Sequence, residues 1–172
     1  MSMDFSPVLA GEAPLPSGRI EGRRDFEGGV RAALACAARE GWPELVLCDF
    51  DFHDWPLGDR EAEALLQAWA GRGRRLVMLA AGYDELVRRH ARFVRWRATW
   101  DHIVECRKVP ARERQELPGV LWSGRWVLQR LDPERCTGVA GSEPERRVQA
   151  RQVLDEWLRR STPAFSATTL GL

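Results

Sequence analysis

Lysine is nearly missing from this chain: Lys108 stands alone among 26 basic residues, the rest being arginine. A reaction that depends on a lysine therefore has one residue to draw on. Long apolar runs are missing too. No stretch approaches the roughly 20 residues of a membrane-spanning helix, so no membrane association is expected. The first residues, MSMDFSPVLAGEAPLPSGRIEGRR, lack the basic start and apolar core of a secretory leader. The four cysteines, Cys36, Cys48, Cys106 and Cys136, are far apart and form no CxxC pair. Three lie in apolar surroundings, which fits free buried thiols in a reducing cytoplasm, not disulfides or a metal site. A surplus of one charge sign is missing as well. The 26 basic residues face 25 acidic ones, net +1, so the overall field gives no argument for nucleic acid as a partner.

What is present describes one globular domain, 172 residues long, 44% hydrophobic and 30% charged. Residues 1–24 are rich in Pro, Gly and Ser and read as an irregular arm, docked in part through Phe5, Val8 and Leu9. Residues 25–161 form the domain. Phe26, Val30 and Leu34 recur at helical spacing behind Asp25 as N-cap, and Gly41-Trp42-Pro43 ends that helix. ELVLCDF (44–50) and RRLVMLAA (74–81) are short apolar runs bounded by turn signals, hence buried strands. Between them Asp59 caps a helix over 60–71. A long helix follows over 83–100, with Leu86, Val87, His90, Phe93, Val94 and Trp100 on its apolar side. HIVECRKV (102–109) alternates as a third strand. GVLW and WVLQRLD form a β-hairpin turning at Ser123-Gly124. A loop through Gly138 and Gly141 leads to a last helix, 143–160, and residues 162–172 are an uncharged apolar tail. The early alternation of strand and helix implies parallel pairing through right-handed crossovers, with the hairpin adding antiparallel strands. The fold class is α/β, a mixed β-sheet sandwiched by helices.

Two stretches carry groups that can do chemistry. LCDFDFHDWPLGD (47–59) sets four aspartates and a histidine behind a buried strand. Alternation along extended chain puts Asp49, Asp51 and His53 on one side, as three O/N donors for a divalent cation, with Asp54 close by. Asp49 and Asp51 also match the Asp-x-Asp spacing of haloacid-dehalogenase-type phosphatases, which would make the loop a metal-dependent phosphohydrolase. The remaining parts of that pattern are missing: Phe52 and His53 replace a small flexible step, and no Ser or Thr follows the strand at 74–81. The plainer reading has these polar groups capping the loop and the next helix while Phe50, Phe52 and Trp55 anchor it. The second stretch, RRHARFVRW, lines up Arg88, Arg92 and Arg95, and places Arg92 four residues before Trp96, so that a guanidinium can cover an indole face. Such a stripe suits phosphate or a single-stranded base. Its plainer reading is an amphipathic helix with arginines extended into water. No serine sits in a G-x-S-x-G elbow and no cofactor motif occurs, so no cofactor is expected.

The element order, with the short stretches DWPL and RHARFVRW, resembles one half of the phospholipase D-like fold over residues 24–161. More narrowly it resembles a group of uncharacterised proteobacterial domains of that fold. Active members of that superfamily carry H-x-K-x-x-x-x-D near the hairpin, where the histidine attacks phosphorus and the lysine binds phosphate oxygens. With SGR taking the place of the family's turn, those positions fall at Glu116, Pro118 and Ser123, and no His-x-Lys occurs anywhere in the chain. The resemblance implies the scaffold without the reaction. The expectation is therefore a non-catalytic protein-interaction or structural module, cytoplasmic, with a protein partner or a second copy as its dimer partner. The alternatives are a nucleic-acid or phospho-ligand binder using Arg88, Arg92, Arg95 and Trp96, and a metal-dependent phosphohydrolase at Asp49, Asp51 and His53.

Overall fold

The runs ELVLC and RLVMLA bury side chains of both parities, which only strands covered on both faces can do. The computed structural model, which describes residues 14–166, places them at the centre of an eight-stranded mixed sheet. Its strands are β1 (Gly18–Glu21), β2 (Glu44–Cys48), β3 (Arg75–Ala80), β4 (Val104–Lys108), β5 (Gly119–Ser123), β6 (Val127–Asp132), β7 (Thr137–Gly141) and β8 (Thr162–Pro163). Their spatial order is β1-β7-β6-β5-β2-β3-β4-β8. The three strands β2, β3 and β4 run parallel, registered through Leu45 and Leu76 and through Leu76 and Val104. On the other side of β2 the sheet turns antiparallel, with Leu47 opposite Leu121 of β5. The expected mixed α/β sheet and the expected hairpin are both present.

Helices cover the two faces unequally. α1 (Arg23–Glu40), α2 (Arg60–Trp69), α3 (Asp84–Arg89) and α4 (Ala91–Thr99) lie on one face, where Phe26, Leu34, Trp69 and Phe93 pack over Leu45, Leu76, Met78 and Leu128. The other face has α5 (Pro144–Arg159) alone. Its Ala150 and Leu154 meet Val46, Val77, Val120 and Val127. Among the described residues no helix is long and apolar enough to cross a membrane. The four thiols are free and buried. Burial and the neighbouring Glu40 push the Cys36 thiol up to about 11, and burial does the same for Cys106, so these groups act as small apolar side chains.

The sequence expectations need four corrections. Part of the 1–24 arm is a strand: β1 pairs antiparallel with β7, Arg19 opposite Val139. Only Ile20 of GRIE is buried, so one apolar residue was all the signal available. Asp25 is no N-cap, because α1 begins at Arg23. The Asp25 carboxylate instead accepts the outward N–H of Glu21 at 3.1 Å, which blunts the sheet edge. The loop through Gly138 is strand β7. A Cβ at Gly138 would stand 1.9 Å from the Gln129 carbonyl oxygen, so this close crossing of β6 admits glycine alone. The long 83–100 helix is broken at His90 (φ −122°, ψ 60°) into α3 and α4. Phe5, Val8, Leu9 and residues 167–172 lie outside the described residues.

The described part of the tail returns to its own domain. Ala164 N–H donates to the Cys106 carbonyl at 3.0 Å, and the Phe165 ring stacks on Tyr83, centroids 5.2 Å apart at 9°. Arg97, with a side chain only 4% exposed, donates to the Phe165 carbonyl and to Asp101, both at 2.7 Å.

Candidate functional site

Where β2 stops, the chain turns on a carboxylate. Asp49 Oδ2 accepts the backbone N–H groups of Asp51 (3.3 Å) and Phe52 (2.9 Å), and this bends the loop until Phe52 sits at φ 59°. The same bend sends the Phe52 ring inward against Trp55, and Trp55 against Phe26. Asp49 Oδ1 is left facing the core. Its partner comes from β6: Arg130, with 1% of its side chain exposed, donates to Asp49 Oδ1 at 2.9 Å and to Asp54 Oδ2 at 2.7 Å. The guanidinium also lies 4.5 Å above the Phe26 ring. Gly119 makes room for it, since a Cβ there would come within 3.3 Å of both Arg130 Nε and Asp49 Oδ1.

The outer half of the loop is filled in the same way. Arg114 grips Asp51 with two parallel hydrogen bonds of 3.0 and 2.9 Å and lies over the Phe50 ring. His53 Nδ1 is 2.8 Å from Asp51 Oδ1 and 3.2 Å from Arg114 Nη1. Burial alone would raise the Asp51 carboxyl, but the hydrogen bonds from Arg114 and His53 outweigh it and hold the group at about 2. Asp54 is likewise lowered, with Arg130 overcoming the effect of burial. Arg130 is pushed above its ordinary value, since the two carboxylates outweigh a burial effect of opposite sign.

The three residues expected to hold a metal thus fall into two ion pairs. Asp51 and His53 do come together, while Asp49 points away from them to Arg130. Among the described residues no group of three or more His, Cys, Asp or Glu is placed to hold a metal ion. The guanidinium groups occupy the lone pairs that a cation would use. The acid–base prospects are equally poor for Asp51, whose carboxyl is held at about 2 with both oxygens engaged by Arg114 and so has no proton to give near neutral pH. Arg114 and Arg130 were missed in the sequence. Arg130 had a signal: in VLQRLD it shares parity with the buried Leu128, and an arginine on the core side of a strand requires a buried acid.

The arginine stripe is present in altered form. The break at His90 interrupts the helical register between Arg88 and Arg92. His90 is buried, hydrogen-bonds the Phe52 carbonyl through Nε2 at 2.8 Å, and packs so tightly on Gly58 that a Cβ there would come within 2.9 Å of the His90 Cα. Arg92 does not cover Trp96; it donates to the Gly58 carbonyl at 3.2 Å. Trp96 is 5% exposed and tilts against Phe93. What results is a ridge of heads. Arg88 and Arg89 share the single carboxylate of Glu85. Among the described residues no carboxylate lies within 4.0 Å of Arg60, Arg92 or Arg95. A groove of about 450 Å³ runs between α2 and α4 with Arg60, Glu63, Arg95 and Trp96 in its walls.

No family model matches the chain, and no curated protein matches it. Among solved structures it is similar to TrmBL2, described as an archaeal chromatin protein with a novel mode of DNA binding. The TM-score is 0.63 at 16% identity, over 93% of this chain and 58% of that one, so this chain spans little more than half of its neighbour's length. At that identity the likeness establishes a shared fold.

Replacing Arg130 with Met leaves two buried carboxylates without a partner and should destabilise the chain by about 3–5 kcal/mol in denaturant titration. The triple variant Asp49→Asn, Asp54→Asn, Arg130→Met should recover part of that loss. If R130M unfolds at the wild-type midpoint, the network has no structural role. Acid tests the outer pair. Asp51 ionises at lower pH folded than unfolded, so its contribution is complete above its ordinary value of 3.8 and is lost as pH falls towards about 2. Denaturant midpoints should drop between pH 4 and 2, and Arg114→Ala should flatten that drop.

Proposed function

We propose that this domain is a non-catalytic binding module and that it binds nucleic acid through the arginine ridge of α2, α3 and α4. The observation that carries the reading is the set of guanidinium groups without carboxylates: Arg60, Arg92 and Arg95, with Arg88 and Arg89 leaning on one acid. Near-neutral total charge argued against nucleic acid, but the total hides where the pairs are. Several arginines elsewhere, such as Arg31, Arg114, Arg130 and Arg151, are neutralised by their own acids, so the ridge keeps more of its field than the sum implies. The fold shared with a chromatin protein supports the same ligand class. The scaffold is read here as one half of a phospholipase D-like fold, with the acidic loop serving as a brace and the reaction absent.

Fluorescence polarisation with labelled single-stranded and duplex oligonucleotides tests this. Contacts to about four phosphates predict binding that weakens roughly 50-fold between 50 and 200 mM salt for a single strand. R88E with R95E, both at exposed heads, should abolish it. Binding that ignores salt, or survives both substitutions, refutes the reading.

A second reading, self-association, rests on α5. Val148 is 56% exposed beside a largely apolar groove of about 260 Å³ walled by Trp122, Pro144 and Arg151. A second copy of the chain would cover it. Light scattering then gives twice the 19.6 kDa chain mass, and Val148→Asp returns it to one.

A further inference from the structure

The C-terminal ends of the parallel strands are hollowed out beside the braced loop. Two cavities, of about 350 and 280 Å³, lie next to each other there with Arg114 and Pro133 as their common wall. They belong to neither the ridge nor the α5 groove. Open α/β sheets take ligands outside the carboxyl ends of their strands. The loop after β2 borders both hollows here, with His53 and Asp54 in the wall of the first and Asp49 in the wall of the second.

The two hollows differ in chemistry. The first is lined by Arg23 from the first turn of α1, by His53, and by Arg135 from the β6–β7 turn. Arg23 and Arg135 meet acids only loosely, Glu27 at 3.4 Å and Asp132 at 3.9 Å, and their side chains are 62% and 83% exposed. Both heads are free to close on an anion. The acids in the same walls are Asp54, already paired with Arg130, and Glu134. The second hollow has Asp49, paired with Arg130, and Glu116 among its walls, and an apolar side made of Leu131, Val153 and Trp157. Leu131 is 70% exposed and Val153 48%. A register shift between β6 and β7 at Arg130–Asp132 sets Leu131 out in that position. A leucine so exposed, in the same concavity as Trp157 and Arg114, leaves apolar surface uncovered beside positive charge.

We propose that this double hollow binds a small amphipathic anion, a carboxylate or phosphate monoester carried on an apolar body. The anionic head lies among Arg23, Arg114 and Arg135. The body covers Leu131, Val153 and Trp157. Arg114 keeps its grip on Asp51 and adds its charge at the partition between the two halves.

The full chain is titrated with anilinonaphthalene sulfonate, an aromatic anion whose fluorescence rises in an apolar site. One saturable site in the micromolar range is expected. Decanoate and decyl phosphate should displace the dye, and their relative strength tells which head group the site prefers. Decanol and acetate at equal concentration should not. Leu131→Asp and Arg135→Glu alter exposed side chains and leave folding intact; each should weaken dye binding by about tenfold. Arg135→Gln, which removes charge without reversing it, should fall between. A rise that never saturates overturns the proposal. So does saturable binding that both substitutions leave unchanged, or displacement by decanol as effective as by decanoate.

Discussion

Arg130 holds a full positive charge out of reach of water, and the rest of the strand-end architecture is arranged around it. A lone buried guanidinium is prohibitively unfavourable, so the chain must bring acids to it. Asp49 comes from the end of β2 and Asp54 from five residues further along the loop. Two acids from one loop meeting one base from a strand two positions away fixes the loop's path in three dimensions. Replacing such a cluster with apolar groups often leaves stability unchanged. Its contribution here is to placement. It ties β6 to the β2 end across β5, and seats the guanidinium on the Phe26 ring of α1.

That placement also decides what the loop is unable to do. A run of aspartates after a parallel strand is a common starting point for metal and phosphoryl chemistry, because ionised oxygens there face an open cleft. In this chain the oxygens face guanidinium groups instead. Each hydrogen bond that lowers the Asp51 or Asp54 carboxyl also removes a lone pair from a cation or a proton. The charge that the proposed sites offer is basic, on Arg23, Arg114 and Arg135 at the strand ends, with Glu134 and Glu116 in the same walls, and on the ridge of α2 to α4. The polarity of the site is the reverse of what DFDFHD suggests when read alone.

How much of this was legible depended on whether the signal was local. β2 and β3 were visible because Leu45–Cys48 and Leu76–Ala80 are unbroken apolar runs. The β5–β6 hairpin was visible because two apolar stretches flank Ser-Gly. β7 was hidden because its glycines answer to a neighbouring strand, a cause that periodicity does not carry. The break at His90 was hidden for the same reason: the residues on either side keep good helical spacing, and what interrupts them is the Phe52 carbonyl and Gly58, over 30 positions away. The acidic loop was found in sequence with its partners missing. Arg114 and Arg130 lie 63 and 81 residues beyond the acids they bind, and nothing short of the folded register could match them.

The loop from Phe50 to Gly58 is held from both sides. From the strand end, Arg130 and Arg114 fix Asp49, Asp51 and Asp54. From the helical side, His90 binds the Phe52 carbonyl and Arg92 the Gly58 carbonyl. Burial lowers the His90 imidazole below its ordinary value, so it stays neutral and keeps a single Nε2–H for that carbonyl, undisturbed through the physiological range. Arg92 therefore has two roles: it closes the loop and stands in the basic ridge. The ridge and the strand-end hollows are thus built on opposite flanks of one short, rigid segment. Exposed guanidinium heads flank it, Arg60, Arg88 and Arg95 on one side and Arg23 and Arg135 on the other. Both proposed anion sites therefore rest on the same fixed segment, and a change that loosens it would be felt at the ridge and at the hollows together.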